Sequence, residues 1–179
     1  MAGGLATLVR GLPYQRLVLF ACVEVPPLTE FAAPSHIVVP LDSSELAELA
    51  VPWAGFLARS AGIPVVLVAV WTPYDPLPGV DYLGATAEIE QTVGSYLEGV
   101  AKSEALRGLD VTCEVRHGSV VDEIASLVWE LASPLVVLST HGRSGFKRLF
   151  LGSVTDKLLR SLGMPILVIP AGRPGGQKA

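Results

Sequence analysis

Five short apolar runs, separated by stretches with helical spacing, constrain this chain more than any other feature. The runs lie at 37–41 (IVVPL), 65–70 (VVLVAV), 111–115 (VTCEV), 135–139 (LVVLS) and 166–169 (ILVI). Runs such as 65–70, with no polar alternation, suit strands covered on both faces. Between them, apolar residues return at helical spacing. Leu46, Leu49, Trp53, Phe56 and Leu57 mark a first helix, which Pro52 should kink or split and Gly62 should end. A long helix begins at Asp81, with Ala85, Ile89, Val93, Tyr96, Leu97, Val100 and Ala105 on or near its inner face and Gly108 at its end. Ser119 and Asp122 resemble a capping box before a stripe of Val121, Ile124, Val128 and Leu131. A last helix, Ser153 to Leu162, turns Val154, Leu158 and Leu162 inward. Trp53 and Trp129 are expected in or beside the core. The β–α alternation predicts an α/β fold, a single-domain open parallel sheet of five strands with right-handed crossovers and helices on both faces, Rossmann-like in plan.

Such sheets bind ligands beyond the carboxyl ends of their strands, where the strand order switches. The segment from Ser139 to Leu159 has the right composition for that place. The strand ends at Ser139–Thr140, His141 follows, and Gly142, Gly145 and Gly152 punctuate the chain before Ser153 opens a helix. Glycines permit tight turns and close approach to a ligand, and a helix start offers unpaired N–H groups to an anion. The segment reads as a phosphate-receiving loop, although a glycine-rich surface loop has the same composition. Arg143, Lys147 and Arg148 fit either a solvated face or the screening of phosphate charge. His141 has no carboxylate or nucleophile fixed beside it in sequence and reads as loop structure. If the first and fourth strands are neighbours, Asp42, Val70 and residues 139–153 converge on one cleft. Asp42 can serve that cleft, cap the helix that follows, or do both.

Composition narrows the classes. A chain of 179 residues with 50% hydrophobic and 17% charged residues can bury a substantial core. Its formal net charge of -4 gives no general attraction for nucleic acid. Two cysteines without a CxxC, and three dispersed histidines, argue for a reduced, cytoplasmic setting and against a metal site. No run is long enough to span a membrane. Residues 1–35 form an extension, read as an extra edge strand near 16–25 or a flexible arm. Its Arg10, Arg16 and short apolar run 17–23 lack the cleavage site of a secretory leader. The domain itself runs 36–170, and 171–179 is a flexible tail.

From about His36 to Pro170 the chain resembles the universal stress protein (UspA) family. In its ATP-binding branch a motif reads G-x-x-G, nine residues, then G-S or G-T. Here Gly142, nine residues and Gly152–Ser153 match, while Ser139 replaces the first glycine. The resemblance implies strand order 3-2-1-4-5. It also implies ATP, with Mg²⁺, held at the carboxyl ends of strands one and four. Pro40–Leu41–Asp42–Ser43–Ser44 resembles the P-x-D-x-S turn whose aspartate meets the adenosine. Val70 matches a residue whose backbone faces adenine, and Leu138 an apolar residue against the base. Ser139, Gly142, Arg143, Gly145, Gly152, Ser153 and Val154 complete the expected site. The Ser139 hydroxyl either narrows the approach to the phosphates and ribose or donates to them. The implied function is nucleotide-dependent regulation in a stress response, with homodimerisation through the last strand and a protein partner left open. No general base is evident, so the chain reads as a binder rather than a dedicated enzyme, with slow ATP hydrolysis left open. The alternative from another class is a dimeric interaction scaffold whose pocket binds no nucleotide.

Overall fold

The computed structural model describes residues 18–20, 33–72, 82–140 and 153–170. In chain order the strands are β1 (Val18–Phe20), β2 (His36–Leu41), β3 (Val65–Trp71), β4 (Val111–His117), β5 (Pro134–Thr140) and β6 (Ile166–Pro170). The helices are α1 (Glu45–Glu48), α2 (Val51–Ala61), α3 (Tyr82–Ala101), α4 (Val120–Glu130) and α5 (Ser153–Ser161), with a 3₁₀ turn at Glu104–Leu106. The sheet order is β1-β6-β5-β2-β3-β4. Its five strands from β2 onward are parallel and follow the expected 3-2-1-4-5 order. To these the fold adds β1, which pairs antiparallel with β6.

Alternation along the strands sorts the core into two layers. Ile37, Val39, Val65, Leu67, Val137 and Leu167 face α2 and α3, meeting Val51, Ala54, Ala58 and Leu97. Val38, Val66, Val68, Val136, Ile166 and Val168 face α4 and α5, meeting Ile124, Leu127, Val128 and Leu158. Successive residues along each strand thus fall on opposite layers, both of them covered by helices, which is why the runs show no polar positions. Each such side chain contributes about 1.5–3 kcal/mol when fully buried.

Pro52 splits the first helix as its chemistry requires. Helix α1 ends at Glu48, α2 starts at Val51, and Pro52 occupies the first turn of α2, where its missing N–H costs nothing. Gly62 closes α2 in the left-handed region, at φ 68°.

Several local expectations need correction. Ser119 occupies the N-cap of α4, but its side chain makes no capping bond; Asp122 and Glu123 meet the helix start by charge instead. Helix α3 stops at Ala101, ahead of the 3₁₀ turn, rather than continuing to Gly108. Ile89, Val154 and Trp129 are exposed, Trp129 at 63%, because each lies off its helix's inner stripe. Strand β3 runs one residue past the apolar run read at 65–70, closing on Trp71. Asp81, Ala85 and Cys22 lie outside the residues or side chains described.

Candidate functional site

The connections leaving β2 and β5 diverge. From β2 the chain passes to α1 and α2 on one layer, and α5, which follows β5 in the chain, packs on the other. These two strands are neighbours, so the switch in strand order falls between them. Their pairing runs from His36↔Pro134 to Val38↔Val136 and goes no further among the described residues. Proline accounts for the stop. The Ile37 N–H donates to Pro64 on the β3 side, so by alternation the backbone of residues 38 and 40 faces β5. Residue 40 is proline and offers β5 no donor. Beyond Val38 the carboxyl ends of β2 and β5 form no further ladder pairs, and this is the switch point of the sheet.

Asp42 follows the carboxyl end of β2, beside the switch point. Its Oδ1 accepts the Ser44 backbone N–H at 3.1 Å and the Ser44 hydroxyl at 2.6 Å. Ser44 in turn is the N-cap of α1, accepting the Ala47 N–H at 3.1 Å. Capping therefore falls to Ser44, while Asp42, itself exposed, braces the cap. Between them Ser43 holds φ at 65°, a left-handed conformation that costs a non-glycine residue about 1–2 kcal/mol. Such strain is held by its surroundings at a turn of this kind.

Ser139 lies near the carboxyl end of β5. Its side chain falls on the α1 and α2 layer, and its hydroxyl donates to the Leu46 carbonyl oxygen at 2.5 Å. The proton is thus committed to α1, which leaves the oxygen's lone pairs for any other contact. Leu138 points the opposite way, into the α4 and α5 layer, at 5% exposure. Val70 is half-buried on that same layer. Ser153 is the first residue of α5, and both it and Val154 are exposed. Gly142, Arg143, Gly145 and Gly152, with His141, Lys147 and Arg148, lie outside the described residues. The structure thus places Pro40 and Asp42 at the carboxyl end of β2, Ser139 at that of the neighbouring β5, and Ser153 and Val154 at the opening of α5.

Tyr96 belongs to this neighbourhood and reads in the sequence as packing alone. It is half-buried against the core, and its hydroxyl donates to Glu48 Oε1 at 3.1 Å. Burial, then the charge and hydrogen bond of Glu48 and the charge of Asp42, push the phenol well above its usual range, while the Ser43 backbone works the other way. Tyr96 therefore ties α3 to the strained Asp42–Ser44 turn. The available signal is chemical: a tyrosine on an inward stripe needs a partner for its hydroxyl. Glu48 and Tyr96 also line a groove of about 410 Å³ with Val51, Val100 and Ser103. At the ends of β3 and β4, Trp71 and His117 stack obliquely, ring centres 5.8 Å apart.

An open parallel α/β sheet whose strand order switches between β2 and β5 defines a Rossmann-like class. Within that class, the chain belongs to the Universal stress protein family, whose model matches residues 34–170. It is 28% identical over 141 residues to a universal stress protein of Mycobacterium tuberculosis, covering 75% of this chain and 46% of that protein. It is 26% identical over 136 residues to one of Methanocaldococcus jannaschii, covering 74% of this chain and 80% of that one. The chain spans about half the length of the mycobacterial relatives it matches. Among solved structures, a universal stress family protein of Burkholderia pseudomallei superposes with TM-score 0.59 at 24% identity, over 76% of this chain and 96% of that one. A universal stress protein solved in complex with cAMP superposes with TM-score 0.58 at 21% identity, over 79% of this chain and all of that one (100%). Among the described residues no helix is long and apolar enough to cross a membrane.

Proposed function

We propose that this chain binds ATP at the β2–β5 switch point and acts as a nucleotide-dependent regulator in a stress response. The observation that carries the reading is the early end of the β2–β5 ladder, after Val38↔Val136, with Asp42 and Ser139 at the carboxyl ends of the two strands. In this reading the Asp42 oxygen not held by Ser44 accepts from the nucleoside. The backbone of Val70 faces the base, and Leu138 is the apolar residue against it. Gly142, Arg143, Gly145, Gly152 and Ser153 take the phosphates, helped by the N-terminal end of α5. Mg²⁺ keeps most of its waters and is held largely through phosphate oxygens, so it requires no preformed protein cage. A solved relative of the same fold carries cAMP, also an adenine nucleotide. Hydrolysis, where it occurs, is slow, and the protein works in the cytoplasm.

Homodimerisation through the last strand belongs to this proposal under one condition set by the fold: β1 already lies along β6 and must leave first. A second reading, a scaffold without nucleotide, is favoured by the Ser139–Leu46 bond, which draws α1 over the end of β5. Mass spectrometry of small molecules released from freshly purified protein, followed by titration with Mg-ATP, separates the two. ATP retained by the native chain and lost from Asp42→Ala and Gly152→Ala supports the first. No release and no heat on titration leaves the scaffold.

A further inference from the structure

A groove of about 410 Å³ lies between α1 and α2 on one side and α3 with the turn after it on the other. Val51 and Val100 make its wall apolar, and Glu48, Tyr96 and Ser103 bring polar groups to it. Glu48 is the one charged residue among its described lining residues. Its Oε1 accepts the Tyr96 hydroxyl at 3.1 Å, and its second oxygen is left for another donor. Lys102, just past α3, does not neutralise it, being paired with Glu98 at 3.7 Å. The charge of Asp42 also reaches the Tyr96 phenol, so this end of the groove is negative twice over. Ser103 is a second unmet group. It is the N-cap of the 3₁₀ turn, but its side chain makes no capping bond. Its Oγ is buried and has no hydrogen-bond partner. Buried hydroxyls are nearly always paired, with protein, water or ligand.

We propose that this groove binds a small organic cation, an ammonium group on a short apolar body, with the ammonium at Glu48 and the body along Val51 and Val100. The chemistry of the groove selects that class. An ammonium has three donors and no acceptor. It meets the second Glu48 oxygen and the lone pairs of the Tyr96 hydroxyl, whose proton is already given to Glu48. Burial and the two negative neighbours hold the Tyr96 phenol above its usual range, so it keeps that proton and adds no charge of its own. An anion would meet Glu48 with no basic group to offset it. The Ser103 hydroxyl stands further along and can pair with a polar group at the far end of the body. From Tyr96 to Ser103 is about two helical turns, roughly 10 Å, which suits one small molecule. This inference does not depend on nucleotide binding.

The test is titration of the full-length chain with phenethylammonium, and separately with phenethyl alcohol, its neutral isostere, followed by amide NMR shifts. The cation should give saturable shifts centred on residues 48–52 and 96–105. It should bind about tenfold more tightly than the alcohol, the scale of one charge-assisted hydrogen bond. Glu48→Gln keeps an acceptor for Tyr96 and should bring the cation down to the affinity of the alcohol. A Cβ at Gly99, which also lines the groove, meets nothing within 4 Å, so Gly99→Phe should fill the groove and remove binding of both probes. Tyramine, which adds a hydroxyl at the far end, should bind more tightly than phenethylammonium, and Ser103→Ala should erase that gain. Absent or unsaturable shifts, shifts centred elsewhere, or equal affinity for cation and alcohol overturn the proposal. Native affinity for the cation in Glu48→Gln overturns it as well, and that variant and the alcohol decide alone if Gly99→Phe does not fold.

Discussion

The Ser139 hydroxyl donates to the carbonyl oxygen of Leu46 across 2.5 Å, joining the end of β5 to the short helix that follows Asp42. Helix α1 has four residues and fully buries none of them, so its Ser44 cap, this bond and the Tyr96–Glu48 bond carry much of what holds it. Ser139→Ala should therefore cost about 1 kcal/mol of stability. It should also raise amide exchange across 45–49 more than elsewhere. Denaturant unfolding and exchange mass spectrometry measure the two effects. If the hydroxyl also limits the nucleotide site, Ser139→Gly should bind Mg-ATP more tightly than the native chain while losing the same stability.

Asp42 and Ser44 share one hydrogen-bond chain but are expected to do different work. Asp42→Asn keeps an oxygen for Ser44 yet loses the negative acceptor, so Mg-ATP affinity should fall about 10- to 100-fold, or ~1–3 kcal/mol, with little change in melting temperature. Ser44→Ala removes the cap and should cost about 1 kcal/mol of stability with a smaller effect on binding. Calorimetric titration and thermal melts on both variants separate ligand contact from capping. Equal loss of binding in the two would mean that Asp42 acts through the turn alone.

The charged edge of β4 gives a pH dependence of known sign. Arg116 donates to both Glu130 oxygens, at 3.0 and 2.7 Å. That hydrogen bond first, then the charge of Arg116 and the Ser126 hydroxyl, hold the Glu130 carboxyl below its ordinary range. A folded pKa below the unfolded one adds stability that is complete above the unfolded value and lost as pH falls through the folded value. The melting temperature of Glu130→Gln should therefore lie below that of the native chain at neutral pH. The two should converge as pH falls through the carboxylate range. The effect is small, because Glu130 is exposed. Asp156, held low by Arg160, titrates in the same direction in both chains and cancels in the comparison.

The strands were legible because apolar runs without alternation leave few alternatives to a sheet covered on both faces; their order came from the family resemblance alone. Pro52 announced the break between α1 and α2 because a proline early in a helix has one comfortable place. The candidate site was legible in part: Pro40 and Asp42 could be placed at a strand end, but the direction of the Ser139 hydroxyl could not. That direction depends on where α1 lies against β5, which helix periodicity does not encode. Tyr96 escaped for a related reason, since its partner Glu48 is far away in sequence. Trp129 and Val154 show the reverse error. Both are apolar residues near a helical stripe, and hydropathy alone does not report that they lie off its buried centre.

Two glycines separate close packing from backbone freedom. A Cβ built at Gly55 falls on the carbonyl oxygen of Ala105 and close to Leu106, where α2 crosses the 3₁₀ turn. Arg59 reinforces the same crossing by donating to the carbonyls of Ala105 and Arg107 at 3.2 and 3.4 Å. The obstructing atom is backbone and cannot rotate away, so Gly55→Ala must push α2 outward and should cost about 1–3 kcal/mol. At Gly99, on α3, a Cβ meets nothing within 4 Å. There the methyl reduces only the freedom of the unfolded chain and improves helix propensity, so Gly99→Ala should stabilise by roughly 0.5–1 kcal/mol. Urea midpoints of the two variants should move in opposite directions from that of the native chain. A Gly55→Ala midpoint equal to the native one would mean that α2 and the 3₁₀ turn do not approach this closely in solution.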